Sequence, residues 1–118
     1  MGPHPNHLTL VGYPCNLDNC QKMENTMAQS FDNGGNNTIR YGSAMRGGSS
    51  GGPWIQDFGV AANGAPSGEG ANYLKSVTSY GPIATEPKYQ GASILLNSGS
   101  GSFIDLLNQV CAHRAGNC

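Results

Sequence analysis

A serine inside a glycine-rich turn is the residue of this sequence best placed to do chemistry. Residues 47–53 read Gly-Gly-Ser-Ser-Gly-Gly-Pro, and the second serine is Ser50. A serine hydroxyl attacks a carbonyl when it is accessible, when a base takes its proton and when N–H donors stabilise the negative oxygen that forms. Because Gly48 has no side chain, its N–H and that of Ser50 can converge on one oxygen. The turn therefore predicts a nucleophile, although glycine and serine in this proportion also compose flexible linkers.

Short strands are predicted on both sides of this turn. The strand-like segments are rich in apolar and β-branched residues and are bounded by turn residues; they are 8–13, 38–41, 53–60, 73–80 and 91–96, with a weaker alternation over 23–31. A helix is predicted only over 102–112, where Ser100 or Ser102 can cap the start and apolar residues recur on one face. Six or so strands and a terminal helix predict a mostly β fold, either an antiparallel barrel or a sandwich.

The composition limits the size of the fold and the partners of the chain. At 118 residues we expect one domain, 1–118. Charged residues make up 11% of the chain, against about 25% in an average domain, which favours turn-rich β structure. A net charge of -1 and six scattered basic residues argue against nucleic acid as a partner. No apolar run is long enough to span a membrane, and no signal peptide is evident.

The four cysteines fall into two close pairs, Cys15 with Cys20 and Cys111 with Cys118. Two local disulfides are the simplest pairing, but spacing alone leaves all three connectivities possible. A zinc site would more usually show Cys-x-x-Cys with nearby histidines, so we expect no metal and no cofactor. Oxidised pairs predict an oxidising compartment, that is, a secreted or periplasmic protein. We therefore expect the N-terminal part of the natural protein, with its export signal, to precede this chain.

Three segments, in the same order, resemble the trypsin/chymotrypsin-like serine peptidases. Gly-Ser-Ser-Gly-Gly-Pro at 48–53 is similar to the nucleophile motif Gly-Asp-Ser-Gly-Gly-Pro of that family. Val-Thr-Ser-Tyr-Gly at 77–81 resembles its Ser-Trp-Gly strand, which pairs with the bound peptide, and Leu-Val-Gly-Tyr-Pro at 10–14 resembles the first strand of its second barrel. The resemblance implies the C-terminal half of such a peptidase, a six-stranded antiparallel barrel with a C-terminal helix.

The resemblance also assigns roles to individual residues. Ser50 would be the nucleophile, and the N–H groups of Gly48 and Ser50 would form the oxyanion hole. The substrate would be bound by Ala44 at the pocket floor and by four further residues, Ser79, Tyr80, Gly81 and Gly91. An apolar floor gives no reason to expect lysine or arginine recognition, and Thr78 stands where some bacterial members that prefer glutamate carry a histidine. The cleavage specificity stays open.

Two departures from the family pattern matter. Ser49 replaces the aspartate that pairs, in many animal members, with a newly cut N-terminal amine. The family takes its general base and its orienting aspartate from the first barrel, and His4, His7 and His113 have no matching context here. The resemblance thus implies a serine endopeptidase fragment that needs the missing N-terminal barrel, acts on peptide or protein substrates, and is nearly inactive alone. The alternative is a non-catalytic secreted peptide-binding or structural β domain.

Overall fold

The computed structural model of the chain describes residues 7–32, 37–59, 72–84, 86–96, 99–114, 116 and 118. The six strands are β1 His7–Gly12, β2 Glu24–Asp32, β3 Thr38–Gly42, β4 Pro53–Gln56, β5 Tyr73–Tyr80 and β6 Tyr89–Ile94. They close into an antiparallel barrel in the order β1-β2-β3-β6-β5-β4, and β4 pairs back onto β1. Of the two architectures left open by the strand pattern, the barrel is the one formed, as the resemblance implied.

Alternate positions of the strands fill the barrel interior, as expected for a period of two residues. The hydrophobic residues with no exposed surface among those described are Leu8, Leu10, Ile39, Tyr41, Met45, Trp54 and Ala92. The rings of Tyr41 and Trp54 lie 5.0 Å apart between centroids, and Trp54 Nε1 donates to Thr78 Oγ1 at 2.8 Å. Burial of one large apolar side chain contributes about 1.5–3 kcal/mol to the free energy of unfolding. The indole of β4 therefore fixes the strand that follows the serine turn onto β5.

Strand β4 ends at Gln56, earlier than the predicted segment 53–60. The reason is Asp57, whose φ of 50° lies in the left-handed region and breaks the extended backbone. Asp57 O then accepts a hydrogen bond from Asn72 N at 3.0 Å, which leads the chain into β5. Val60 and the predicted flexible loop at 61–71 lie outside the described residues.

The C-terminal helix, α1, spans Phe103–His113 and begins one residue after the predicted start. Ser102 is its N-cap, because Ser102 Oγ accepts a hydrogen bond from Asp105 N at 3.1 Å. The apolar residues on the predicted stripe of the helix remain 41–57% exposed. The described part of the barrel therefore does not cover this face of α1.

Both local disulfides are present, Cys15–Cys20 and Cys111–Cys118. The simplest pairing of the cysteines is thus the one formed. The first lies in the connection after β1, which contains a 3-10 turn over Asp18–Cys20, and the second joins α1 to the last residue. Among the described residues, no helix has the length and apolarity to cross a membrane, and no three His, Cys, Asp or Glu side chains cluster as metal ligands.

Candidate active site

The serine turn connects β3 to β4 at one end of the barrel and is fixed at both of its ends. Gly51 N donates to Thr78 O at 2.9 Å, and Thr78 N donates to Gly52 O at 2.9 Å, so the exit of the turn is held by β5. Ser49 N donates to Arg46 O at 3.2 Å, which closes the first half. Ser50 is exposed between these fixed points. The hydroxyl predicted as the nucleophile is therefore presented to solvent by a constrained backbone.

Only glycine fits at position 48 unless the backbone shifts. Its φ is 98°, and a Cβ added there would lie 2.5 Å from Tyr13 O and 2.7 Å from Cys15 Sγ. The N–H groups of Gly48 and Ser50 donate to no backbone carbonyl within the described residues. Two N–H groups beside the Ser50 hydroxyl therefore have no backbone acceptor, as the donors of an oxyanion hole must.

Ser49 faces the protein interior, in contrast to its exposed neighbour Ser50. It is 2% exposed, and its Oγ donates to Arg46 O at 2.7 Å and accepts from Gln90 Nε2 at 2.6 Å. Since Ser49 Oγ gives its only proton to a carbonyl, the Gln90 amide must present its nitrogen to Ser49. Gln90 belongs to β6, which pairs with β3, so this bond ties the turn to the strand beside the one it leaves.

A cavity of about 480 Å³ opens beside Ser50. Tyr80 and Gly81, two of the residues expected to bind substrate, line it. Thr78, at the position where some glutamate-preferring members carry a histidine, lines it as well. Met45, Arg46 and Gln90 also line it, and the sequence did not point to these three. Gln90 could have been found from its position, because it directly precedes Gly91 at the start of the predicted strand 91–96. The signal for Arg46 was a lone charge at the start of the glycine run.

Three predicted substrate-binding residues do not line this cavity. Ala44 is exposed, and its carbonyl accepts from Asn16 Nδ2 at 2.9 Å. Ser79 is exposed near the end of β5. Gly91 is buried beneath the ring of Tyr80, which occupies the space that a Cβ at this position would need. Gly91 thus acts on the pocket through Tyr80, because its missing side chain leaves room for that ring.

The two histidines within the described residues do not complete a catalytic set. His7 is exposed at the start of β1, His113 is exposed at the end of α1, and His4 lies outside the described residues. Ser50 Oγ has no hydrogen-bond partner in the described part of the chain. Within the described residues, the site thus contains an exposed serine, two N–H groups without a backbone acceptor and a cavity, with no histidine bonded to Ser50.

Solved structures of serine proteases share this fold. The chain is similar to a thermostable serine protease, AL20, from an extremophilic microorganism, with a TM-score of 0.59, 25% identity, and coverage of 79% of this chain and 39% of that one. It is also similar to the protease Anisep from Arthrobacter nicotinovorans, with a TM-score of 0.57, 22% identity and the same coverages of 79% and 39%. No family model and no curated protein matches.

These neighbours define the class of the fold. The six-stranded barrel is of the serine-protease type, consistent with the C-terminal barrel of the trypsin-like peptidases that the sequence resembles. The chain spans 39% of the length of each neighbour. The similarity therefore concerns this barrel and not the activity of the whole protein.

Proposed function

We propose that this chain is the C-terminal barrel of a serine endopeptidase and that Ser50 is its nucleophile. The observation that carries the proposal is the combination of an exposed Ser50 hydroxyl with two N–H groups, of Gly48 and Ser50, that donate to no backbone carbonyl in the described residues. The two disulfides are compatible with an exported protein, so we place the enzyme in the secreted or periplasmic compartment.

In the proposed reaction, Ser50 Oγ attacks the carbonyl carbon of a peptide bond, and its proton passes to a histidine supplied by another barrel. The Gly48 and Ser50 N–H groups donate to the negative oxygen of the tetrahedral intermediate. The histidine then returns the proton to the leaving amine, which departs and leaves an ester on Ser50. A water molecule, deprotonated by the same histidine, attacks this ester and frees the carboxylic acid and the serine.

The substrate chain would be aligned along the end of β5, through the backbone of Ser79 to Gly81. Tyr80 and Gly81 would form walls of the pocket, since both line the cavity beside Ser50. A lysine or arginine side chain of a substrate would meet the guanidinium of Arg46 in the same cavity. The cation in the lining favours a substrate residue without positive charge.

A first barrel from the same protein is the proposed partner of this chain. The apolar face of α1 supports it, because four residues that should pack in a complete protein are 41–57% exposed, namely Phe103, Leu106, Leu107 and Val110. The isolated chain should therefore self-associate in light scattering and should be nearly inactive. In one studied serine protease, the loss of the base costs about 10⁶ in rate.

The test is active-site labelling of the longest natural form of the protein by a fluorophosphonate reagent. We expect one labelled site, lost in Ser50→Ala and retained in Ser100→Ala, since Ser100 is exposed in the turn before α1. Labelling that persists in Ser50→Ala would sink the proposal. Peptide hydrolysis measured on the same variants should follow the labelling.

A non-catalytic peptide-binding domain is the second candidate, and the isolation of Ser50 Oγ from any described histidine favours it. The two functions differ in what precedes this chain in its gene. A reading frame that encodes a histidine-bearing barrel supports the enzyme. Peptide binding by the wild type of the longest natural form, without any hydrolysis, supports the binding domain.

A further inference from the structure

The loop at residues 14–20, which follows β1, lies directly against the serine turn; we call it the brace loop. Its base is fixed to the barrel, because Pro14 is buried and Leu17 packs on the hydrophobic core. Leu17 N donates to Pro14 O at 3.2 Å, and the Cys15–Cys20 disulfide closes the loop. The brace loop therefore has little freedom relative to the barrel.

Two hydrogen bonds join the brace loop to residues 44–48, the segment that leads to Ser50. Cys15 N donates to Gly47 O at 2.7 Å, and Asn16 Nδ2 donates to Ala44 O at 2.9 Å. Only the nitrogen of the Asn16 amide can donate to a carbonyl, so the orientation of this side chain is set. The segment itself belongs to no strand or helix. These bonds from outside are therefore a principal restraint on it.

The third contact is made at Gly48, the residue that supplies one oxyanion donor. Its Cα faces Tyr13 O and Cys15 Sγ so closely that a Cβ there would lie within 2.7 Å of both. Oxyanion donors act only when they are held at hydrogen-bond distance from the developing charge, and a displacement of about 1 Å can cost about 10²-fold in rate. A displacement of Cys15 would move the Gly48 N–H with it.

We propose that the brace loop positions the oxyanion donors, through the Asn16 amide and the Cys15–Cys20 disulfide. This inference rests on the proposed function, since it gives the Gly48 N–H a catalytic purpose. Opening of the disulfide should lower kcat by about tenfold to a hundredfold. KM should change less than kcat, because Met45, Arg46 and Gly47 of the restrained segment line only one part of the cavity. The rate, rather than the fold, should then depend on the oxidation state of this disulfide.

The first test compares two double variants, Cys15→Ser/Cys20→Ser and Cys111→Ser/Cys118→Ser. The second pair is the matched control, because it removes a disulfide of similar spacing at the far end of α1. Hydrogen exchange, measured in the full chain, should increase at 44–52 in the first variant only. Equal exchange at 44–52 in both variants would overturn the proposal.

The second test uses a change that leaves both disulfides in place. Asn16→Asp keeps the shape of the side chain but removes the donor to Ala44 O, and Asn108→Asp on an exposed position of α1 is its control. For Asn16→Asp we expect faster exchange at 44–52 and a lower kcat. For the control, Asn108→Asp, we expect KM and the unfolding midpoint to be unchanged. An Asn16→Asp variant with native exchange and native kcat would refute the positioning role.

The two proposals fail in different ways. Faster exchange at 44–52 in the variants, with no fluorophosphonate labelling of the wild type, would keep the brace loop as a support of the turn and overturn the proposed function. Labelling of the wild type at Ser50, with exchange and kcat insensitive to Asn16→Asp and to the loss of Cys15–Cys20, would keep the enzyme and overturn the brace loop.

Discussion

A methyl group at Gly48 should damage both the stability of the chain and the proposed chemistry. The Cβ of Gly48→Ala would lie 2.5 Å from Tyr13 O and 2.7 Å from Cys15 Sγ, at a φ of 98°. Backbone strain of this kind costs about 1–3 kcal/mol. For a chain of 118 residues, that corresponds to a fall in Tm of about 4–12 °C. The N–H of residue 48 is kept in this variant, but its displacement from the oxyanion should in addition slow phosphonylation of Ser50, by up to about 10²–10³.

Gly47→Ala is the matched control for this variant. A Cβ at Gly47 meets nothing within 4 Å, and its backbone is not in the left-handed region. We expect its Tm and its labelling rate to stay close to the wild type, because the added methyl group is in open space. Differential scanning calorimetry and the rate of fluorophosphonate labelling measure the two effects separately. If Gly48→Ala and Gly47→Ala behaved alike in both assays, the close packing of the turn against the brace loop would be refuted.

Three further changes test the core and the pocket. Thr78→Val removes the acceptor of the Trp54 indole N–H and should cost about 1–3 kcal/mol in urea unfolding, whereas Thr78→Ser keeps the hydroxyl; equal midpoints would count against the bond. Burial raises the pKa of Tyr41 in the folded chain, so the Tyr41 phenol ionises first in the unfolded chain. The free energy of unfolding is therefore unaffected below about pH 10 and falls as the pH rises through the folded pKa. Tyr41→Phe should flatten that alkaline decline, and an equally steep curve would contradict it. Gly91→Ala would displace the Tyr80 ring and should raise KM for peptides more than it lowers kcat; an unchanged KM would remove Tyr80 from the pocket wall.

Local signals in the sequence predicted most of the elements. The helix was found from a cap and a stripe, and Ser102 does cap it through Asp105 N. The strands were found from β-branched and apolar runs, and the error at β4 arose because Asp57 takes a positive φ that its identity permits but does not require. The closure of the barrel, by contrast, depends on pairs such as β3 with β6, which are far apart in the chain and leave no pattern in either segment. The family resemblance supplied that part.

The site was predicted where its chemistry is local and missed where it depends on distant contacts. The turn around Ser50 is one continuous segment, so the sequence alone shows which of its positions are glycine. Gln90 is 41 residues from Ser49, and Asn16 is 28 residues from Ala44, and neither polar side chain carries a mark of its partner in the sequence. Such bonds become visible only when the barrel brings β6 and the connection after β1 to the same end as the turn.

Ser49 shows why the departure from the family motif is compatible with an ordered turn. An aspartate at this position can pair with a newly cut N-terminal amine, whereas a neutral hydroxyl cannot form that ion pair. Ser49 Oγ is instead engaged at 2.7 Å with Arg46 O and at 2.6 Å with Gln90 Nε2, and the residue is 2% exposed. Both partners belong to the described barrel itself. The turn that presents Ser50 is thus held by Ser49 through contacts within the described residues.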